Sequence, residues 1–276
     1  TYPENVSIGS AHSGLALQGA GRDVTIVDGG QAGPCLTLTQ FATGTIDGFT
    51  FRNGFAGNGA GIFCDRSSPT ISNNTIEDNT ARFGGGIYCT FSAPTIQTNI
   101  IQNNTAEEAG GVYCYGSTAD LRDVAVTGNT ISGNTATYTA GGGMAVYVAR
   151  PAISNNTITG NTSAMNGGGV SCYYYADATI TGNTISGNTA FLGGGVSCIG
   201  LSTAVIQGNA IGQNSAGNGG GIFCDTSSPT IGADNVLDGN TARFGGGIYL
   251  AFSQATVQQN EITNSTAAEG GGVYCY

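Results

Sequence analysis

One short phrase returns along this chain at nearly constant spacing, and that repeat limits the available folds more than any other feature. The segment Gly84-Gly85-Gly86-Ile87-Tyr88-Cys89 has relatives at Gly61-Ile62-Phe63-Cys64, Gly111-Val112-Tyr113-Cys114, Gly169-Val170-Ser171-Cys172 and Gly195-Val196-Ser197-Cys198. Further copies are Gly221-Ile222-Phe223-Cys224, Gly247-Ile248-Tyr249-Leu250 and Gly272-Val273-Tyr274-Cys275. The last residue of the phrase falls at 64, 89, 114, 172, 198, 224, 250 and 275, in steps of 25 or 26 apart from one of 58. Gly143-Met144-Ala145-Val146 divides the long step into 32 and 26, which places an insertion in one repeat, within Thr127 to Asn134. Fixed periods of this length mark solenoids, in which each repeat can bury its apolar side only against its neighbours.

Each period holds two plain strand signals. One is the Gly-Ile-Tyr-Cys phrase; the other is the Pro69-Thr70-Ile71-Ser72 type, seen again at Thr95-Ile96-Gln97, Thr179-Ile180-Thr181 and Thr256-Val257-Gln258. A third, shorter signal surrounds Thr75-Ile76, Thr157-Ile158 and Thr184-Ile185. Asn and Gly punctuate them, as turns require. No stretch sustains a helical apolar period. Three short strands per turn of chain, with no helix, describe an all-β, right-handed, single-stranded parallel β-helix of about ten coils, each of 25–26 residues. At the usual interstrand spacing of about 4.8 Å, such a rod is about 50 Å long. The whole chain, 1–276, reads as one domain, with 1–58 less regular and 59–276 regular.

Alternation along a strand assigns faces. The Ile slot of the phrase is always apolar and faces inward. The next slot reads Phe63, Tyr88, Tyr113, Ala145, Ser171, Ser197, Phe223, Tyr249 and Tyr274, and faces outward. Nearby lie Phe91, Tyr115, Tyr147, Tyr173, Tyr174, Tyr175 and Phe252. A ridge ahead of the glycines adds Phe83, Tyr138, Met165, Phe191, Leu192 and Phe244. An exposed aromatic column either marks a partner or glycan contact or stacks across coils and stiffens the rod. The candidate contact residues are Phe63, Tyr88, Tyr113, Phe223, Tyr249 and Tyr274.

Two asparagine columns accompany the strands: Asn74, Asn99, Asn156, Asn183, Asn209, Asn235 and Asn260, then Asn79, Asn104, Asn161, Asn188, Asn214 and Asn240. Asn tolerates left-handed backbone, and stacked amides bond along an axis, so these read as structural ladders. A longer repeat overlies the coil. Gly61–Ile71 returns at Gly221–Ile231, and Asn79–Gly84 returns at Asn240–Gly245, six coils on. The sequence stops at Cys275-Tyr276 within a strand and without a polar cap, which reads as an open end for further coils.

The opening, Thr1-Tyr2-Pro3-Glu4-Asn5-Val6-Ser7-Ile8, followed by Leu15-Ala16-Leu17-Gln18-Gly19-Ala20-Gly21 and Val24-Thr25-Ile26-Val27-Asp28-Gly29, resembles the first coils of secreted microbial β-helix repeat proteins. The later Asn-Asn-Thr-Ile and Gly-Gly-Gly-Ile units resemble the same proteins, in the pectin-lyase-like superfamily. The resemblance covers the whole chain. It implies the fold and an extracellular or cell-surface location, but not an activity, because that superfamily includes polysaccharide lyases and esterases beside surface proteins with none.

The chemistry an enzyme of that kind needs is sparse here. The opening also resembles pectin methylesterases, but their Asp-Phe-Ile-Phe-Gly type segment has no match. There is no Asp-Asp pair of the polygalacturonase type. The neighbouring carboxylates, Glu77-Asp78, Glu107-Glu108 and Asp120 with Asp123, read as solvated turn charges, and His12, the single histidine, sits in a loop near the amino end. We therefore expect no catalytic residue and no cofactor. A net charge of −10, without one lysine, argues against nucleic acid and anionic membrane surfaces. No apolar run reaches the length that spans a bilayer.

Eight cysteines contain no Cys-x-x-Cys, and one histidine cannot complete a usual zinc set, so no metal is expected. Cys64, Cys89, Cys114, Cys172, Cys198 and Cys224 share one inward slot with Val146 and Leu250. That makes it a core slot for small hydrophobes, or, since stacked strands lie within bridging distance, a column of inter-coil disulfides. Cys35 falls outside the column. Sequons at Asn5, Asn73, Asn103, Asn155, Asn161 and Asn264 arise from the turn pattern itself. The expected function is an extracellular structural or adhesive rod, a subunit of a surface fibre whose partner is itself, end to end. The alternative is a surface protein that binds or degrades polysaccharide.

Overall fold

A computed structural model describes residues 1–40, 43–116 and 123–276. The chain winds through successive coils whose strands pair only in parallel and only with the coils before and after. The coil around Thr70–Thr90 is representative. It places Thr70–Ser72 in a first sheet, Thr75–Glu77 in a second, Thr80–Phe83 in a third and Ile87–Thr90 in a fourth. These sheets contain ten, eleven, nine and eleven strands among the described residues. The architecture is thus the expected all-β parallel solenoid of about ten coils.

From the coil that contains Phe55–Asn58 onward, each coil has four strands rather than the three expected, whereas the first coils, as in Leu15–Gln18, Ile26–Asp28 and Leu36–Thr39, lack the third-sheet strand. The additional one, Thr80-Ala81-Arg82-Phe83, turns only Ala81 inward, and its counterparts turn in Ala106, Ala136 and Ala190. A strand whose buried residue is alanine lacks the large apolar signal by which strands are recognised. Small residues suit the site because the glycine segment beyond it doubles back closely. Gly84 has φ +62, and a Cβ on Gly86 would lie 2.6 Å from the Gly111 carbonyl oxygen. The glycine triplets are therefore a steric condition of the corner between the third and fourth sheets.

Inside, large side chains stack like on like. Ile71, Ile96, Val126, Ile153, Ile180 and Ile206 form one buried column from the first sheet, and Ile76, Ile101, Ile131, Ile158 and Ile185 another from the second. The fourth sheet contributes Ile62, Ile87, Val112, Met144 and Val170, with the cysteine column beside them. Fully burying such a side chain contributes about 1.5–3 kcal/mol, and the repeat multiplies that along the rod.

The insertion lies elsewhere than expected. Thr95 pairs with Ala125, and Asn99 bonds Asn129, each thirty positions on; Val112 pairs with Met144, thirty-two on. The extra residues enter between Tyr115 and Ala125 and between Ala136 and Met144, while Thr127–Asn134 keeps the ordinary coil register. As a result Asn129 and Asn134 complete the two asparagine columns, which now run unbroken.

Candidate functional site

The fourth sheet's outer face carries a second apolar cluster, separate from the core. It contains Tyr88, Tyr113, Ala145 and Tyr173, with Phe63, Phe83, Tyr115 and Tyr147 packed against it. Register explains its shape. Phe63, Tyr88 and Tyr113 stack in one outward column, and Tyr115, Tyr147 and Tyr173 in the next outward column of the same sheet. Ring centroids lie 5.7 Å apart for Phe63–Tyr88, 5.3 Å for Tyr88–Tyr113 and 5.1 Å for Tyr115–Tyr147, the last pair 5° from parallel. Tyr147 continues to Tyr174 at 5.6 Å, and Phe91 meets Tyr115 edge-on at 6.3 Å. The result is an unbroken band of rings across five coils. A second, shorter ladder follows, Phe223–Tyr249–Tyr274, with both steps 5.3 Å and 15°.

The expected exposed column needs correction here. The side chains point away from the core, but Tyr88 is only 8 % exposed, Tyr113 3 % and Phe223 4 %; Phe63, Tyr249 and Tyr274 are half-buried. The adjacent outward column and the third-sheet ridge, including Phe83, cover them. The accessible rings belong to the rim. Tyr174 is 57 % exposed, Tyr175 55 % and Phe252 73 %, with Phe91, Tyr115 and Tyr147 half-buried.

The rim residues share an unusual backbone. The first residue after the fourth-sheet strand is left-handed along most of this corner, at Gln40 (φ 58), Arg66 (φ 48), Phe91 (φ 48), Val148 (φ 46), Tyr174 (φ 51), Gly200 (φ 62), Thr226 (φ 48) and Phe252 (φ 45), as are Tyr175 (φ 58) and Leu201 (φ 65) nearby. At the corner between the first and second sheets that conformation falls largely to Asn and Gly: Asn73, Gly128, Asn155, Gly182 and Gly208. Bulky residues adopt it at a cost of about 1–2 kcal/mol each. Gly200 shows that the fold accepts glycine at this corner, yet bulky rings stand there in several coils.

A polar knot closes the band. Ala145 and Ser171 occupy the aromatic slot beyond Tyr113, and their small size lets Tyr173 lean back until its hydroxyl meets that of Tyr113 at 2.5 Å. With one proton each, Tyr173 donates to the Glu108 carboxylate at 2.8 Å and Tyr113 donates to the Tyr173 oxygen, with the Glu108 carboxylate also 3.2 Å from the Tyr113 hydroxyl. Burial pushes the Tyr88 phenol up to about 12; burial first, with the Glu108 charge, holds Tyr113 well above the ordinary value of 10.0 against the lowering bond from Tyr173, and burial first, then Tyr113 and Glu108, holds Tyr173 well above it. These phenols are hydrogen-bond donors, not bases. Sequence reasoning missed Glu108 and Tyr173 as partners because 65 positions separate them. The small residues at Ala145, Ser171 and Ser197 in an otherwise aromatic slot were the available signal.

The remaining candidates stay apart. Glu77 accepts from Gln102 at 2.8 Å, and Glu107 pairs with Arg82 at 3.2 Å. His12 ends a single exposed turn, Ser10–His12. Asp123 is exposed, and Asp120 lies outside the described residues. Among the described residues, no three His, Cys, Asp or Glu side chains converge on a metal-sized site. Cys64, Cys89, Cys114, Cys172, Cys198 and Cys224 are buried free thiols in the core column, and burial pushes Cys114 up to about 12. Cys35, unplaced by the repeat, is buried between the first coils, its Sγ 3.2 Å from the Arg52 carbonyl oxygen.

Parallel strands stacked coil on coil about an apolar core define a parallel β-helix. The chain belongs to the right-handed β-helix family, whose model, described as a right handed beta helix region, matches residues 5–131 and 110–276. Comparison with curated proteins and with solved structures returned no match.

Proposed function

We propose that this protein is a non-catalytic, adhesive β-helical rod of the extracellular surface that holds polysaccharide against the aromatic band of its fourth sheet. One observation carries the reading: the exposed rim rings of that band occupy left-handed backbone, where Asn or Gly would be less strained. Strain of this kind persists where function selects the side chain. Sugar rings stack on aromatic faces through their C–H groups, and an aromatic band along the rod suits an extended chain rather than a small molecule.

The test follows from the strain. Tyr174→Asn relieves the backbone and forfeits ring contacts worth about 0.5–1.5 kcal/mol, so stability stays within about 1 kcal/mol of native. Retention on a panel of insoluble polysaccharides falls with Tyr174→Asn if the rim binds glycan. Undiminished retention removes the rim from the function.

A second reading, a fibre subunit extended by coil stacking, draws support from the six-coil superrepeat. Gly61–Asp65 and Gly221–Asp225 share one sheet and one column, so the pattern extends by whole blocks. Filaments in electron micrographs support it, and monomeric particles at all concentrations oppose it.

A further inference from the structure

A different surface carries an inference independent of the aromatic band. In the middle of the second sheet, Thr130-Ile131-Ser132, Thr157-Ile158-Thr159 and Thr184-Ile185-Ser186 lie on successive coils. The isoleucines point inward and are fully buried. The hydroxyl residues face outward in two columns, Thr130 over Thr157 over Thr184 and Ser132 over Thr159 over Ser186. The third sheet, past a glycine corner, continues the pattern with Thr135, Thr162 and Thr189.

Three properties set this array apart. First, it is a two-dimensional lattice. Hydroxyls repeat at about 4.8 Å along the rod and about 6.7 Å along each strand, as parallel strands dictate. Second, its hydroxyls are unspent. None of the six makes a hydrogen bond within the described protein, whereas hydroxyls nearer the ends are tied down, Ser72 to Asp47 at 2.7 Å and Thr263 to Asp238 at 2.9 Å. Third, it is uncharged. Between Val124 and Asp225 the sequence holds only Arg150 and Asp177, which pair with each other at 3.1 Å.

We propose that this face adsorbs to crystalline ice. A protein partner needs aromatic or arginine anchors, and a glycan needs stacking rings or charged and amide groups; the array offers neither. It offers regularly spaced hydroxyls, with methyls along the Thr130, Thr157 and Thr184 column and at Thr159, and its two repeats are close to those of the oxygen rows on the prism faces of hexagonal ice. Each hydroxyl can replace one lattice water, and each methyl can rest in the hollow between rows. Single contacts of this kind are weak, but many engaged together on one rigid face dissociate slowly.

The experiment partitions fluorescently labelled protein between growing ice and liquid and follows grain growth in a frozen sucrose film. Native protein enters the ice and slows recrystallisation. Thr157→Lys, which sets an exposed charge at the centre of the array, loses both effects while keeping the native circular dichroism and thermal midpoint. Thr256→Lys, on the first sheet of another coil, keeps both. Exclusion of native protein from ice, or undiminished ice binding by Thr157→Lys, overturns the proposal. Polysaccharide retention by Thr157→Lys stays native, which separates this proposal from the adhesive reading.

Discussion

Asn188 stands one coil beyond Asn161, and its Oδ1 accepts both the Asn161 main-chain N–H at 2.9 Å and the Asn161 side-chain amide at 3.0 Å. The Asn188 amide in turn donates to the Ile158 carbonyl and to Asn214 Oδ1, each at 3.0 Å. Four bonds therefore pass through one buried side chain, and every lone pair and proton of the ladder has a use. Asn188→Ala leaves buried groups on both neighbouring coils without partners. At about 1–3 kcal/mol for each orphaned group, we expect a loss of about 2–4 kcal/mol, measured as a lowered urea midpoint. A loss under about 0.5 kcal/mol would mean that water replaces the amide.

The cysteines should divide sharply by accessibility. Of eight, Cys275 is exposed and the other seven are buried. Thiolate is the reactive form, and burial pushes Cys35 and Cys114 up to about 12. A chromogenic disulfide reagent at neutral pH should release one equivalent from native protein and eight from protein unfolded under non-reducing conditions. Fewer than eight in denaturant would reveal disulfides in the column.

Acid should loosen the first coils through Asp28. Burial raises its carboxyl, but bonds from Asn53, the Gly30 N–H and Arg52, with the Arg52 charge at 3.0 Å, outweigh that and hold it below 3.8. A depressed carboxyl stabilises the folded form above its unfolded value, and that contribution disappears as pH falls through the lowered one. Protection of the amides around Gly30 and Asn53, taken relative to the intrinsic exchange rate at each pH, should therefore fall below pH 3.8 in native protein. In Asp28→Asn that protection should already be low at neutral pH and depend less on acid. Equal pH profiles for the two proteins would exclude Asp28 as the cause.

The inward columns were legible because Ile, Val and Cys recur at a fixed place in each repeat, and a slot that is always apolar can only face the core. The third-sheet strand was not, because Ala81 and its counterparts carry little hydrophobic signal and are specified by close backbone approach. The insertion was misplaced because the interval between cysteines counts residues without saying which side of a strand they enter. Asn129 and Asn134 were the overlooked markers. The aromatic slot was read correctly as outward, yet outward proved not to mean exposed. The cover comes from a neighbouring column and a ridge that meet it only when the coil closes. The left-handed corner aromatics, the strongest functional sign, have no signature in composition at all.

The central claim is that the rod grips polysaccharide at its aromatic rim without cutting it, and both halves can be read in one vessel. Native protein and the Tyr147→Ala/Tyr174→Asn variant are incubated with the insoluble polysaccharide that retains native protein best. Bound fraction and polysaccharide chain length are then followed together. The account predicts saturable binding by native protein, loss of most of it in the variant, and unchanged chain length in both. Equal binding by the variant, or shortening of the polysaccharide by native protein, would contradict it.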